Sequence, residues 1–171
     1  MTIDVDPDWW KTLFDEVYLV TDARSVGDDD ITRQEIDIFL ALVPMQSDDR
    51  ILDLCGGHGR HTLELCRRGF RDCTVLDYSQ PLLDIGARVA DQRRYPVRFV
   101  QGDARQTELT SGAFDHVLIL GNSLGYIPEP DADLRILQES RRLLKSRGWL
   151  LLDVSDGEAV STKIARHAWD D

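Results

Sequence analysis

From residue 46 onward, apolar positions fall into two alternating rhythms. Short apolar runs at 51–54, 73–76, 97–100, 114–120 and 149–154 have the length of strands, and the stretches between most of them carry apolar residues at helical spacing. Residues 60–68 predict a helix stopped by Gly69 as a left-handed cap. A second predicted helix is capped by Ser79, holds Pro81 in its first turn and carries Leu82, Leu83, Ile85, Ala87 and Val89 to about Arg93. A third spans about 131–145, with Leu134, Leu137, Leu143 and Leu144 as its stripe. The connection 104–113 is too short for a long helix and predicts a turn or one helical turn. Strands alternating with helices are the pattern of a parallel sheet with crossovers. The run 149–154 is almost continuously apolar, which predicts a strand buried on both faces.

Ahead of this region, residues 6–20 predict one helix. Asp6 is its N-cap, Pro7 its first position, and Trp9, Trp10, Leu13, Phe14, Val17 and Tyr18 form an aromatic face. That face either packs on the main domain or forms a lid over a ligand. A polar loop covers 21–30, and a further helix covers 31–43 before Pro44. The chain thus divides into an N-terminal helical segment at 1–45, a ligand-binding core at 46–156, and a helical, truncated tail at 157–171.

Charge narrows the partners. A formal net charge of −11 over 171 residues argues against nucleic acid, whose binding relies on Lys and Arg at phosphates. The pairs Arg67-Arg68, Arg93-Arg94 and Arg141-Arg142 fall at predicted helix ends, where cations complement the dipole. Three cysteines, no basic leader at residues 1–6 and no apolar run of about 20 residues lead to the expectation of a soluble protein in a reducing cytoplasm, away from membranes.

Chemistry gathers at the predicted strand ends. The first three carry Asp53, Asp77 and Asp103, and the fourth ends in Leu120-Gly121-Asn122. Ligands of open α/β sheets bind at the carboxyl ends of strands, so these tips line one crevice. After Asp53, the turn through Cys55, Gly56, Gly57, His58 and Gly59 lets the backbone fold sharply against a ligand. Gly57 and Gly59 begin a dinucleotide fingerprint that fails where Thr62 replaces its third glycine, although Asp77 stands near the spacing of a ribose-binding acid. Asp53 beside the turn would repel a pyrophosphate and suits a cation.

The stretch Asp53-Leu-Cys-Gly-Gly-His-Gly59 resembles motif I of the class I S-adenosylmethionine-dependent methyltransferases, with Cys55 in the first glycine position. Leu76-Asp77-Tyr78-Ser79, Gly102-Asp103-Ala104, Phe114-Asp115-His116-Val117 and 143–148 match later landmarks of its small-molecule bacterial branch. The resemblance covers about 31–155 and implies a Rossmann-like three-layer α/β sandwich with a mostly parallel sheet. Five strands are visible and the usual C-terminal hairpin is missing. It further implies S-adenosyl-L-methionine as cofactor, S-adenosyl-L-homocysteine as product, and methyl transfer to a small molecule by in-line displacement. By resemblance, Gly57 and Gly59 run beneath the amino-acid end and Asp53 holds its ammonium, with Cys55 in the same turn. Asp77 accepts from the ribose hydroxyls and Tyr78 covers the adenine. Asp103 and the Ala104 amide meet the adenine edge, and the Leu120 carbonyl lies near the methionine part. A strand-end Asp also serves as a plain helix cap, and Asp115 reads as structural. His58, Tyr18, Tyr126 and His61 are base candidates, with none assigned.

Other readings remain in the sequence. Cys55, His58, His61 and Cys66 are metal-binding types in a spacing that matches no zinc pattern. Gly121-Asn-Ser123-Leu-Gly125 resembles a hydrolase nucleophile elbow, but Pro128 and Pro130 delay the helix that should follow. A non-catalytic S-adenosylmethionine-binding fragment and a nicotinamide-dependent oxidoreductase stand as alternative functions. The last strand, left without its hairpin, offers an apolar edge for a missing portion or a homodimer.

Overall fold

The computed structural model describes residues 6–21 and 27–156. In chain order the elements are α1 (Trp10–Leu13), α2 (Glu16–Thr21), α3 (Asp29–Leu42), β1 (Arg50–Leu54), α4 (Arg60–Arg67), β2 (Asp72–Asp77), α5 (Gln80–Arg93), β3 (Val97–Gln101), β4 (Phe114–Ile119), α6 (Ala132–Leu143) and β5 (Leu144–Leu152). The five strands form one parallel sheet in the order β3-β2-β1-β4-β5. The expected tail at 157–171 and the middle of the predicted 21–30 loop lie outside the described residues.

Two apolar layers hold the sheet. On one face Ile36 and Phe39 of α3, Val43 just past it, and Leu65 and Cys66 of α4 pack on Ile51, Cys73 and Leu118. On the other, Ile136 and Leu143 of α6 cover Leu52, Val117 and Ile119. Side chains alternate between faces along a strand, so each central strand feeds both layers and must be apolar throughout. Asp28 caps α3 by accepting from the amides of Asp30 and Ile31, and Ser79 caps α5 by accepting from Leu82. Gly69 takes φ 102° just past α4, as its cap position requires.

Two expectations need correction. The helix foreseen across 6–20 breaks at Phe14-Asp15, because Asp15 takes a capping role: its Oδ1 accepts from the amides of Val17 at 2.8 Å and Tyr18 at 3.3 Å. β5 begins at Leu144, directly after α6, and is half-exposed rather than buried on both faces. Its regular ladder runs from the His116–Trp149 pair onward. The residues between Leu144 and Trp149 bulge around Asp115, whose carboxylate takes Lys145 Nζ at 2.7 and 2.9 Å. Among the described residues it has a neighbour on one side only, and Trp149 is 49% exposed.

Candidate active site

Strand order reverses between β1 and β4, and a cavity of about 470 Å³ opens at the carboxyl edge there, within the size range of small-molecule pockets. Its wall takes residues from the tips of β1, β2 and β3, from the segment after β4, and from the N-terminal helices. Every predicted site residue except Gly59 lines it.

Asp53 is 1% exposed. Its Oδ2 accepts from the Thr62 hydroxyl at 2.8 Å, while Oδ1 is buried with no hydrogen-bond partner among the described residues. Burial raises its carboxyl above the usual range, with His61, Thr62 and Arg60 opposing. A buried carboxylate oxygen without a donor is costly, so the atom fits a cationic ligand group. Gly56 lies against this carboxyl: a Cβ there would come within 2.7 Å of Asp53 Cγ. The turn continues with Cys55 at φ 62° and Gly57 at φ 57°. Burial, then nearby carboxylates, push the Cys55 thiol up, so it remains a neutral wall group. Gly59, at φ 74°, caps α4 and packs on the sheet, where a Cβ would meet Val75 at 3.0 Å and Phe99 at 3.2 Å.

Asp77 is fixed from both oxygens. Oδ2 accepts from the Gly57 amide at 2.8 Å and Oδ1 from the Ser79 amide at 2.8 Å, leaving a lone pair on each for a ligand. Its carboxyl is raised by burial, against which the Ser79 and Gly57 amides act. Tyr78 packs on Trp10 with centroids 5.0 Å apart. Asp103 is engaged in the structure: the Arg105 guanidinium bonds both of its oxygens and extends to Glu129. Burial would raise the Asp103 carboxyl, but those bonds hold it below the usual range. Ala104 is buried in the wall, and the Leu120 carbonyl accepts from Ser123 Oγ at 2.7 Å.

The base candidates separate on geometry. His61 is buried with Nε2 3.0 Å from Glu35, which also takes Arg60. His58 is lowered to about 4 by burial and by Arg60 and His61, so it is neutral at pH 7. Tyr18 and Tyr126 line the cavity mouth on either side of Phe14. Asp115 sits at the opposite, amino end of the strands, bonded to Lys145 and the Arg50 amide. No cluster able to hold a metal occurs among the described residues. The Ser123 hydroxyl is bonded to the Leu120 and Cys55 carbonyls, and α6 starts only at Ala132, so the nucleophile elbow is absent.

Three contributors escaped the sequence reading. Arg105 was not placed at the site, the pairing of Glu35 with Arg60 and His61 depends on the α3–α4 packing, and Gly86 sits in mid-helix. A Cβ on Gly86 would lie 2.3 Å from the His58 carbonyl oxygen, so this glycine lets α5 approach the turn. Its interruption of a helical pattern was the available signal.

Residues 51–148 match the family described as a methyltransferase domain. The chain belongs to that family. A glycine/sarcosine N-methyltransferase of Parasynechococcus marenigrum is 32% identical over 120 residues, 70% of this chain and 42% of that one. A demethylmenaquinone methyltransferase of Renibacterium salmoninarum is 31% identical over 155 residues, 88% of this chain and 60% of that one. The crystal structure of the PH0226 protein from Pyrococcus horikoshii superposes with a TM-score of 0.72 at 26% identity, covering 88% of this chain and 66% of that one. The chain spans about two fifths to three fifths of the length of these two methyltransferase relatives and about two thirds of the PH0226 chain. The parallel sheet flanked by helices matches the Rossmann-like fold of methyltransferase structures.

Proposed function

We propose that this chain is the S-adenosyl-L-methionine-binding core of a methyltransferase that acts on a small molecule, releasing S-adenosyl-L-homocysteine. The observation that carries the reading is the partnerless Oδ1 of buried Asp53 beneath a glycine turn, within a methyltransferase-family domain. The cofactor, when bound, supplies an activated methyl on a positively charged sulfur. Asp53 would hold its ammonium, and Asp77 would accept from its ribose hydroxyls. Tyr78, Trp10, Ala104 and Asp103 would enclose the adenine, and Leu120 would border the methionine part. Cys55 and Gly57 shape the turn, and Gly59 anchors the helix behind it. Such residues accelerate transfer by aligning the two reactants and excluding water. No described side chain is assigned as a catalytic base.

A nicotinamide-dependent oxidoreductase is disfavoured because Asp53 would face the pyrophosphate. A binding fragment without turnover is the second reading, favoured by the partial coverage of the relatives. Among the described residues no helix is long and apolar enough to cross a membrane. We place the protein in the cytoplasm, without a nucleic-acid partner, and with the half-exposed edge of β5 covered by a further segment or by a second copy in a homodimer.

Calorimetric titration with S-adenosylhomocysteine and with NAD tests the cofactor. The sulfur nucleotide is expected to bind and NAD to fail, and the reverse result overturns the assignment. Asp77→Ala should weaken S-adenosylhomocysteine by about 1.5–3 kcal/mol per lost charged hydrogen bond. Turnover on a metabolite panel separates enzyme from binding fragment.

A further inference from the structure

Beyond the residues given to the cofactor, the cavity has an aromatic corner. Phe14 is edge-on to Tyr126 with centroids 5.0 Å apart at 81°, and edge-on to Tyr18 at 5.2 Å and 79°. Both tyrosine rings therefore stand nearly perpendicular to the Phe14 ring, and all three residues line the cavity. The corner is held in place, because the Phe14 carbonyl accepts from the Ser79 hydroxyl at the start of α5. Tyr126 belongs to the segment after β4, so the corner bridges the cavity mouth from the β2 tip to the β4 tip.

The electrostatic setting has a definite sign. Asp53, Asp77 and Asp153 line the cavity, and none of them forms an ion pair among the described residues. The Asp153 carboxylate accepts from the Gly121 amide at 3.1 Å. The cavity's cations are otherwise engaged, Arg60 by Glu35 and Lys11 by Asp8. The cofactor would bring two positive groups and one carboxylate, which leaves carboxylate charge over for the acceptor. Faces of aromatic rings attract cations, and boxes of such rings recognise alkylated ammonium groups.

We infer that the methyl acceptor is an amine, whose nitrogen sits in the Phe14–Tyr18–Tyr126 corner with Asp153 nearby as counter-charge. The inference rests on the cofactor reading above. During transfer the amine lone pair forms the new C–N bond while the C–S bonding pair stays on sulfur as a neutral thioether. The positive charge thereby moves from sulfur to nitrogen, toward the corner. Any N–H proton on the product ammonium leaves to water. An amine that arrives as its ammonium first releases one N–H proton to water; the neutral form then brings its own lone pair and needs no strong base, in keeping with a wall where His61 is bonded to Glu35 and His58 is weakly basic.

The test uses choline and its uncharged carbon analogue 3,3-dimethylbutan-1-ol, titrated calorimetrically into the chain saturated with S-adenosylhomocysteine. Choline should bind at least about 10-fold tighter than the analogue, and Phe14→Leu or Tyr126→Leu should weaken choline roughly 3- to 20-fold while leaving the analogue nearly unchanged. Asp153→Asn should weaken choline alone. Equal binding of the two probes, or no choline binding to the saturated protein, overturns the amine inference and leaves the cofactor reading standing. Failure of S-adenosylhomocysteine itself to bind removes the cofactor reading, and this inference with it.

Discussion

Asp53→Asn separates the stability of the free chain from its capacity to bind the proposed cofactor. Oδ1 of Asp53 is buried without a donor, and leaving such a group unsatisfied costs about 1–3 kcal/mol, more when it is charged. Burial raises the carboxyl in the folded state above its unfolded value. For an acid this sign means that the folded chain binds the proton more tightly, so the group's penalty is absent below the unfolded pKa and grows as pH rises through the folded one. Asn keeps the shape and an oxygen for the Thr62 hydroxyl but carries no charge. Free Asp53→Asn should therefore be more stable than the parent at pH 7 by about 1–3 kcal/mol, and the difference should shrink toward an ordinary Asp pKa of about 3.9. Binding should move the other way. Loss of a hydrogen bond to a charged group, about 1.5–3 kcal/mol, corresponds to roughly 10- to 150-fold weaker binding of S-adenosylhomocysteine. Urea unfolding followed by circular dichroism at pH 7 and pH 4, with calorimetry for the ligand, reads both effects. A variant less stable than the parent at pH 7 with unchanged affinity would refute the reasoning and reduce Asp53 to a structural partner of Thr62.

Gly86→Ala should destabilise the fold by about 1–3 kcal/mol and weaken S-adenosylhomocysteine, because the added Cβ would sit 2.3 Å from the His58 carbonyl oxygen and push α5 off the turn; urea midpoints and calorimetry check it. Glu35→Gln should lower stability at pH 7. Burial alone would raise the Glu35 carboxyl, but the bonds from His61 and Arg60 hold it at about 2, so its contribution is present above its usual 4.5 and fades as pH falls toward 2. The gap between parent and variant in acid unfolding should close across that window. Asp103→Asn should reduce S-adenosylhomocysteine affinity less than Asp77→Ala does, since Arg105 already occupies both Asp103 oxygens; parallel titrations rank the two.

The sheet was legible because its strands announce themselves twice, as apolar runs and as runs that end in a polar residue. Val75 and Val117 are buried because both sheet faces are covered, and that coverage is what makes such runs continuous. The misreadings have local causes. At the N-terminus an aromatic helical face hid the capping competition from Asp15, which splits α1 from α2. For β5, composition alone could not tell a central strand from an edge strand, because that depends on which neighbours are present. At the site, residues next to the glycine turn were found because chain proximity and strand ends place them together. Arg105 and Glu35 come from segments whose approach depends on tertiary packing, and no spacing in the sequence encodes it.

The three strand-tip acids look alike in sequence and differ in how far the protein satisfies them. Asp103 is saturated by the fork of one guanidinium, Asp77 is pinned by two backbone amides, and Asp53 has a single hydroxyl. Unmet demand for donors therefore rises from β3 through β2 to β1. A bound ligand gains most by placing its positive end where the demand is greatest, and neutral hydroxyls suffice where amides already neutralise the carboxylate. If the proposed cofactor binds here, this gradient would favour its ammonium toward the β1–β4 gap and its base toward β3. Phe14 and Tyr126 line the same cavity. The unfavourable burial of Asp53 in the free chain is thus also what selects the ligand's polarity: a better-satisfied carboxylate at β1 would make a more stable protein and a less directional site.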